Sequence, residues 1–251
     1  MDRSDFEIEI CANSVESCVA AQQGGADRVE LCMGIPEGGT TPSYGEIKAA
    51  REALTSTRLH VIIRNRGGDF LYTPGELERM AADINVCREL GIDGVVFGCL
   101  RADGTIDTEA NRLLLSHARG MSVTFHRAFD HCSQPEHALD ELAALGFDRV
   151  LTSGQKPTAF DGIPLLRQLQ QLAAGKIKIM AGCGVNESNI ADIQRETGVN
   201  AFHFSAREPR PSKMEFVNRE VYMGSKDADE TCVMVTTQRR VENTIRALTG
   251  A

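Results

Sequence analysis

A run of residues at 123–130 combines three side chains that could do chemistry. It reads Val-Thr-Phe-His-Arg-Ala-Phe-Asp, in which apolar and polar residues first alternate as in a half-buried strand. His126 can carry a proton, Arg127 is a fixed cation and Asp130 is a carboxylate. An amphipathic helical pattern follows at 135–145, and α/β proteins place their sites where a strand ends before a helix. The run indicates either acid/base chemistry or a buried hydrogen-bond network that holds a loop.

Two cysteines are candidates for a soft-metal site. Cys11 and Cys32 lie near the carboxyl ends of the first two predicted strands. Adjacent strands are about 4.8 Å apart, so two thiols there could share one ion, and thiolates prefer Cu(I) and zinc to hard cations. Two thiols do not complete an ordinary tetrahedral zinc site. On spacing alone, a pair of small buried side chains is the simpler interpretation.

Glycines and arginines elsewhere could hold an anion. Arg64 and Arg66 flank Asn65 and precede a Gly-Gly pair, an arrangement that offers bidentate donors and accessible backbone amides. The alternative is a tight turn whose arginines balance internal carboxylates. Later in the chain, a turn with Gly182 and Gly184, together with Ser205, offers backbone and hydroxyl donors. These glycines could equally be needed for tight strand–helix turns.

The bulk composition excludes some classes of protein. The 251 residues include 27 Lys plus Arg and 35 Asp plus Glu, a formal net charge of -8. This balance argues against a nucleic-acid partner, because proteins that bind the phosphate backbone carry a basic stripe. No apolar run is long enough to cross a bilayer, so no membrane partner is expected. The charged start lacks an apolar signal core, so we expect a cytoplasmic protein whose eight cysteines are thiols.

The elements that must position these residues alternate between strand and helix. Strand patterns lie at 7–13, 28–32, 58–64, 94–100, 122–129, 149–153, 177–182 and 201–206. Helical patterns include 14–23, 73–90, 135–145, 164–174, 186–196 and 235–248. Eight such units predict an α/β fold of the (β/α)₈ TIM-barrel class, with a doubly wound sheet as the alternative. We expect a single domain over 1–251, with 207–234 as a loop excursion at the barrel mouth, and a homo-oligomer.

Side-chain parity predicts an unusually polar barrel interior. If the apolar strand positions face the helices, then Glu9 and Glu30 point inward, as do Arg64, His126 and His203. The two cysteines share this inward orientation. Buried charges must be paired to be tolerated. We therefore expect Glu9 and Glu30 to engage Arg64 or a similar cation.

Six segments, in order along the chain, resemble the CutC copper-homeostasis family. They are 9–11, 24–32, 37–43, 66–70, 123–130 and 151–154. The resemblance extends from about residue 7 to about 206 and, more faintly, to the end. It implies a TIM barrel in the cytoplasm that binds Cu(I), with Cys11 and Cys32 as ligands. The chain departs from the family pattern at Asn65, where the family usually has Pro, and it carries an additional thiol at Cys183.

Two functional hypotheses follow. The first is a Cu(I)-binding protein of copper homeostasis, whose partner is the copper ion. The second is an enzyme acting on a small phosphorylated or carboxylated metabolite, with the copper role indirect. In that case Arg64, Arg66 and the glycine turn would bind the anion. His126 would move a proton, its pKa tuned by Glu30 or Asp130.

Overall fold

Eight parallel strands form the centre of the fold. The computed structural model describes residues 2–218, 220–221 and 229–250. The strands are β1 (Glu7–Ala12), β2 (Arg28–Leu31), β3 (Arg58–Ile62), β4 (Gly94–Phe97), β5 (Ser122–Phe125), β6 (Arg149–Thr152), β7 (Lys178–Gly182) and β8 (Ala201–Phe204). They pair in chain order, and β8 returns to pair with β1. The closed barrel confirms the predicted fold class and rules out the doubly wound sheet.

Eight α-helices lie within the described residues and accompany these strands. They are α1 (Val15–Gln23), α2 (Tyr44–Ala53), α3 (Pro74–Glu89), α4 (Thr108–His117), α5 (Pro135–Leu145), α6 (Ile163–Ala173), α7 (Ile190–Thr197) and α8 (Gln238–Thr249). The apolar residues between strands and helices form one large buried core. No helix in the described part of the chain is both long and apolar enough to span a bilayer.

Most strands end earlier than the sequence pattern predicts. The strand expected over 122–129 ends at Phe125, because the next residue begins a short 3₁₀ helix, Arg127–His131. The side chain of His126 caps this helix by accepting a hydrogen bond from the Ala128 N–H. This local cap therefore ends the strand at Phe125, although the sequence pattern predicts a strand up to residue 129.

The excursion expected over 207–234 begins and ends as a ribbon of two strands. Strand β9 (Arg207–Pro211) pairs antiparallel with β10 (Cys232–Thr236). The ribbon is attached to the barrel where the Thr236 hydroxyl donates to the Ser205 carbonyl at 2.9 Å. The prediction of a loop is therefore wrong for the two ends of this excursion, which are strands. Residues 219 and 222–228, on which part of this prediction falls, lie outside the described residues.

Three Gly-x-Asp turns connect helices to the barrel. The carboxylate of Asp27 accepts the backbone N–H of Ile8 at 2.7 Å, at the start of the preceding strand. Asp93 does the same for Leu59 at 2.8 Å, and Asp148 for Val123 at 2.7 Å. Each aspartate thus ties a strand to the start of the neighbouring one and sets the stagger between them.

We predict that Asp148→Ala lowers the free energy of unfolding by about 1–2 kcal/mol, because it removes a charged acceptor from the Val123 N–H and the Ser122 hydroxyl. Urea denaturation followed by circular dichroism measures the change. The control is Asp140→Ala, which removes an exposed carboxylate on α5. Equal stability of the two variants would contradict a structural role for Asp148.

Candidate functional site

A cavity of about 710 Å³ opens at the carboxyl ends of the barrel strands. Two groups of side chains that differ in chemistry line it. The first, which we call the thiol wall, consists of Cys11, Glu30, Cys32, His203 and Arg207. The second, which we call the cationic wall, consists of Arg64, Phe70, His126, Arg127 and His131. Gly184 and Ser205, both predicted as anion-binding residues, also line the cavity.

The two cysteines of the thiol wall are in direct contact. Register places Cys11 beside Glu30, and Cys32 follows β2. The two Sγ atoms are 3.3 Å apart, and Arg207 Nη2 lies 3.1 Å from Cys11 Sγ. The hydrogen bond with Cys32, together with His203 and Arg207, holds the pKa of Cys11 well below its usual range. The same bond raises the pKa of Cys32 well above it. These opposite shifts favour the thiolate form of Cys11 beside a protonated Cys32.

A network of buried charges lies directly beneath this pair. Glu9 is fully buried, ion-pairs with Arg28 and contacts His203 Nδ1 at 2.7 Å. Burial would raise the pKa of Glu9, but Arg28 and His203 hold it well below its usual range. Burial would lower the pKa of His203, yet its contacts with Cys11 and Glu9 and the charge of Glu30 raise it well above normal. The predicted inward orientation of Glu9 is confirmed.

Glu30 shares the same surroundings but is held less firmly. Its Oε2 lies 3.6 Å from His203 Nε2, and its Oε1 has no hydrogen-bond partner among the described residues. Burial raises the pKa of Glu30 to about 8. The sequence predicts that Glu9 and Glu30 engage Arg64 or a similar cation, and the second alternative holds. Arg64 does not pair with either carboxylate within the described residues, whereas Arg28 pairs with Glu9 and His203 with both. Arg28 and His203 supply that positive charge, because they point into the barrel on strands adjacent to Glu9.

The thiol wall has two overlapping groups of possible metal ligands. One joins the sulfurs of Cys11 and Cys32 to a carboxylate oxygen of Glu30, all within 4.8 Å of one another. The other consists of Glu9, Glu30 and His203 within the same range. In the second group Glu9 already neutralises a buried arginine. The first group, with two sulfurs beside the cavity, therefore suits a soft metal better.

The carboxylate of Asp130 connects the loops beside the cationic wall through hydrogen bonds. It accepts from Arg127 Nε at 2.7 Å and from the Thr152 hydroxyl at 2.5 Å. It also accepts the backbone N–H groups of Ser153 and Gln155. Asp130 does not line the cavity. For this residue the structure matches the alternative interpretation, a buried hydrogen-bond network that holds a loop.

His126 lines the cavity and is neutral. Burial, followed by the nearby charge of Arg64, lowers its pKa to about 3. The prediction that Glu30 or Asp130 tunes His126 is wrong, because burial and the charge of Arg64 shift its pKa, and no carboxylate within the described residues is hydrogen-bonded to the ring.

The predicted anion-binding residues separate into two groups. Arg64 lines the cavity, and its Nη atoms donate to the carbonyls of Glu37, Gly39 and Gly68 at 2.6–2.9 Å. Arg66 does not line it, because its guanidinium is bound to Glu76 and Asp69 outside the mouth.

Gly182 likewise does not line the cavity. A Cβ atom added there would lie 2.5 Å from Leu151 Cδ1, so packing explains this glycine. The structure therefore brings only part of the predicted anion-binding set to the mouth.

Sequence reasoning missed two contributors to the cavity. Arg207 reaches Cys11 because β8, which ends just before it, pairs with β1, and periodicity does not encode this pairing of distant parts of the chain. Phe70 stands 5.1 Å from the Arg64 guanidinium and 5.0 Å from the His126 ring centroid. Cys183, noted in the sequence as an extra thiol, lines the cavity with a left-handed φ of 78°. A non-glycine residue in this conformation is strained.

Comparisons with known proteins agree with this architecture. A protein named family protein CutC from Bacteroides thetaiotaomicron is 61% identical over 244 residues, covering 97% of this chain and 98% of its own. One of the same name from Vibrio cholerae is 45% identical, covering 97% and 96%. Thiamine phosphate pyrophosphorylase from Pyrococcus furiosus, at 16% identity and TM-score 0.62 over 99% of this chain and 98% of its own, shares the fold alone.

A crystal structure named for the copper homeostasis protein CutC of Streptococcus agalactiae is also similar. It has a TM-score of 0.77 and 38% identity, covering 80% of this chain and 98% of that one. The model of the CutC family matches residues 6–208. The segments that carried the resemblance in the sequence fall inside this range, and the chain belongs to the CutC family.

Proposed function

We propose that this protein binds Cu(I) between Cys11 and Cys32 and acts in copper homeostasis in the cytoplasm. The contact of the two sulfurs, 3.3 Å apart at the wall of an open cavity, carries the proposal. The name of the similar Streptococcus agalactiae structure supports the copper connection. Both cysteines are free thiols and can therefore become ligands.

The charges of the thiol wall favour a copper–dithiolate complex. Two thiolates and one Cu(I) carry a net charge of one negative unit. Arg207 lies against Cys11, and His203 faces Glu9 and Glu30, so positive charge is already in place beside that complex. Binding replaces the thiol–thiolate hydrogen bond with a metal bridge and releases a proton.

We predict that one equivalent of Cu(I) binds the reduced wild type, and that the double variant Cys11→Ser, Cys32→Ser weakens binding by more than about 100-fold. Losing both ligands should exceed the roughly 10–100-fold cost of losing an outer-shell partner. Anaerobic competition against a chromogenic Cu(I) chelator measures the affinity. Cys232→Ser, which alters a half-buried thiol on the ribbon, is the matched control. Unchanged affinity in the double variant would remove the proposed site.

We further predict that the rate at which Cys11 reacts with iodoacetamide rises less between pH 7 and pH 9 than the rate of Cys232. The lowered pKa of Cys11 increases its thiolate fraction, whereas an ordinary thiol gains roughly tenfold in rate per pH unit below its pKa. Mass spectrometry of timed samples identifies the modified residue. A Cys11 rate that climbs like that of Cys232 would contradict the thiolate.

A second candidate function is the binding of a small anion, with or without turnover. The observation that favours it is Arg64, a guanidinium only 4% exposed that lines the cavity. Its described partners are three backbone carbonyls, and no carboxylate within the described residues pairs with it. A buried cation of this kind is stabilised by an anionic ligand.

We predict that sodium acetate, pyruvate or phosphate raises the melting temperature relative to sodium chloride at equal ionic strength, because a ligand of the folded state stabilises it by mass action. Differential scanning fluorimetry gives the shift. Arg64→Met should abolish it, while Arg66→Met, which alters a guanidinium outside the cavity, should retain it. No shift with any of these anions would end the second candidate.

A further inference from the structure

The ring nitrogens of His126 have distinct and fixed roles. Nδ1 accepts the Ala128 N–H at 3.3 Å, so in the neutral ring the proton resides on Nε2. Nε2 is buried and has no hydrogen-bond partner among the described residues. A buried N–H without an acceptor is costly, and this one belongs to a side chain that lines the cavity.

Arg64 offers a second unused donor on the same wall. Its two Nη atoms are occupied by carbonyl oxygens, but its Nε is buried without a partner among the described residues. Its charge is close enough to His126 to disfavour protonation of that ring. The cationic wall therefore contains two N–H donors, one charged and one neutral, that both need an acceptor.

Phe70 contacts both of these donor side chains. Its ring lies 5.1 Å from the Arg64 guanidinium and 5.0 Å from the His126 ring centroid. The Phe70 carbonyl accepts the Leu100 N–H at 2.9 Å, which fixes the backbone at this position. The Phe70 ring itself is half-buried and lines the cavity.

We propose that His126 is a neutral N–H donor that, with Arg64, binds an oxygen of a small organic carboxylate, and that Phe70 covers both donors in the ligand-free protein. The inference rests on the second candidate function and names its ligand class and binding residues. A monocarboxylate fits because one unpaired buried cation offsets one negative charge. A doubly charged phosphate ester exceeds what this wall neutralises.

This role differs from proton transfer by His126. The charged or titratable neighbours that share the wall are Arg64, Arg127, which turns to Asp130, and His131, 5.6 Å from Phe70. Glu30 lies on the thiol wall with His203. Within the described residues no carboxylate is hydrogen-bonded to the ring to favour its protonation, and His126 itself should not titrate between pH 5.5 and pH 8.

The first test is nuclear magnetic resonance of the ligand-free, ¹⁵N-labelled protein. Long-range proton–nitrogen spectra report the tautomer and protonation state of each histidine, and the His126 signals are those missing in His126→Gln. The expected result is a neutral ring with its proton on Nε2 from pH 5.5 to pH 8. Titration of this ring near pH 6.5, or a proton on Nδ1, overturns the inference.

The second test measures binding of acetate and pyruvate by calorimetry. His126→Phe keeps a ring of similar size but removes the donor, and should lower the affinity roughly 10- to 100-fold. His126→Gln keeps a side-chain N–H and should lose less than tenfold. Near-UV circular dichroism and melting temperature confirm that each variant is folded, and a His126→Phe variant that is not is replaced by the equally donor-free His126→Leu.

The outcomes separate this inference from the function on which it rests. Carboxylate binding that is equal in wild type and His126→Phe overturns the role of His126 and leaves the anion-binding function standing. Binding of phosphate in preference to carboxylates overturns the ligand class. Absence of binding by every anion in the wild type overturns the anion-binding function, and the His126 site with it.

Discussion

The ion pair between Glu9 and Arg28 inside the barrel is the interaction on which the mouth depends. Both side chains are almost fully buried, so neither charge can be removed alone without a cost of about 3–5 kcal/mol. The second oxygen of Glu9 holds His203, which faces both Glu30 and Cys11. A carboxylate in the interior thereby keeps an imidazolium beneath the thiol pair, and that positive charge favours the thiolate form of Cys11.

The two walls of the cavity suit different ligands because their charges are held differently. On the thiol wall, carboxylates and thiols surround His203 and Arg207, so the added charge of a soft monovalent cation can be shared with sulfur. On the cationic wall, Arg64 is held only by neutral carbonyls, and the described contacts leave its charge available to an anion. One cavity can therefore accept a soft metal and a small anion at different groups of residues. A metal carrier alone would need only the first group.

Much of this arrangement could be predicted from the sequence, because strand parity is a local property. Alternation placed Glu9, Glu30, Cys11 and Cys32 inside the barrel, and the structure bears out their positions. The partner of Glu9 could not be chosen in the same way. Arg28 and Arg64 are both inward-facing arginines, and only the stagger of neighbouring strands decides which one meets the carboxylate.

The remaining errors have a common physical origin in long-range or non-periodic contacts. Arg207 contacts Cys11 because barrel closure pairs β8 with β1 and Arg207 follows β8. The residues of the ribbon show no alternation of apolar and polar side chains that would distinguish them from a loop. The tautomer of His126 depends on the backbone N–H of Ala128. Its protonation state depends on burial and on the charge of Arg64, which follows β3. The sequence run at 123–130 predicted a region rich in polar contacts. It could not distinguish a residue such as Asp130, which holds loops through hydrogen bonds, from one such as His126, which lines the cavity.

X-ray absorption spectroscopy of the Cu(I)-loaded, reduced protein tests the central claim most directly. The thiol wall predicts a first shell of two sulfur atoms, at a distance typical of copper–thiolate bonds, that disappears in Cys11→Ser. A first shell of nitrogen or oxygen atoms would contradict the account. So would a two-sulfur shell that persists without Cys11, because the copper would then be bound elsewhere.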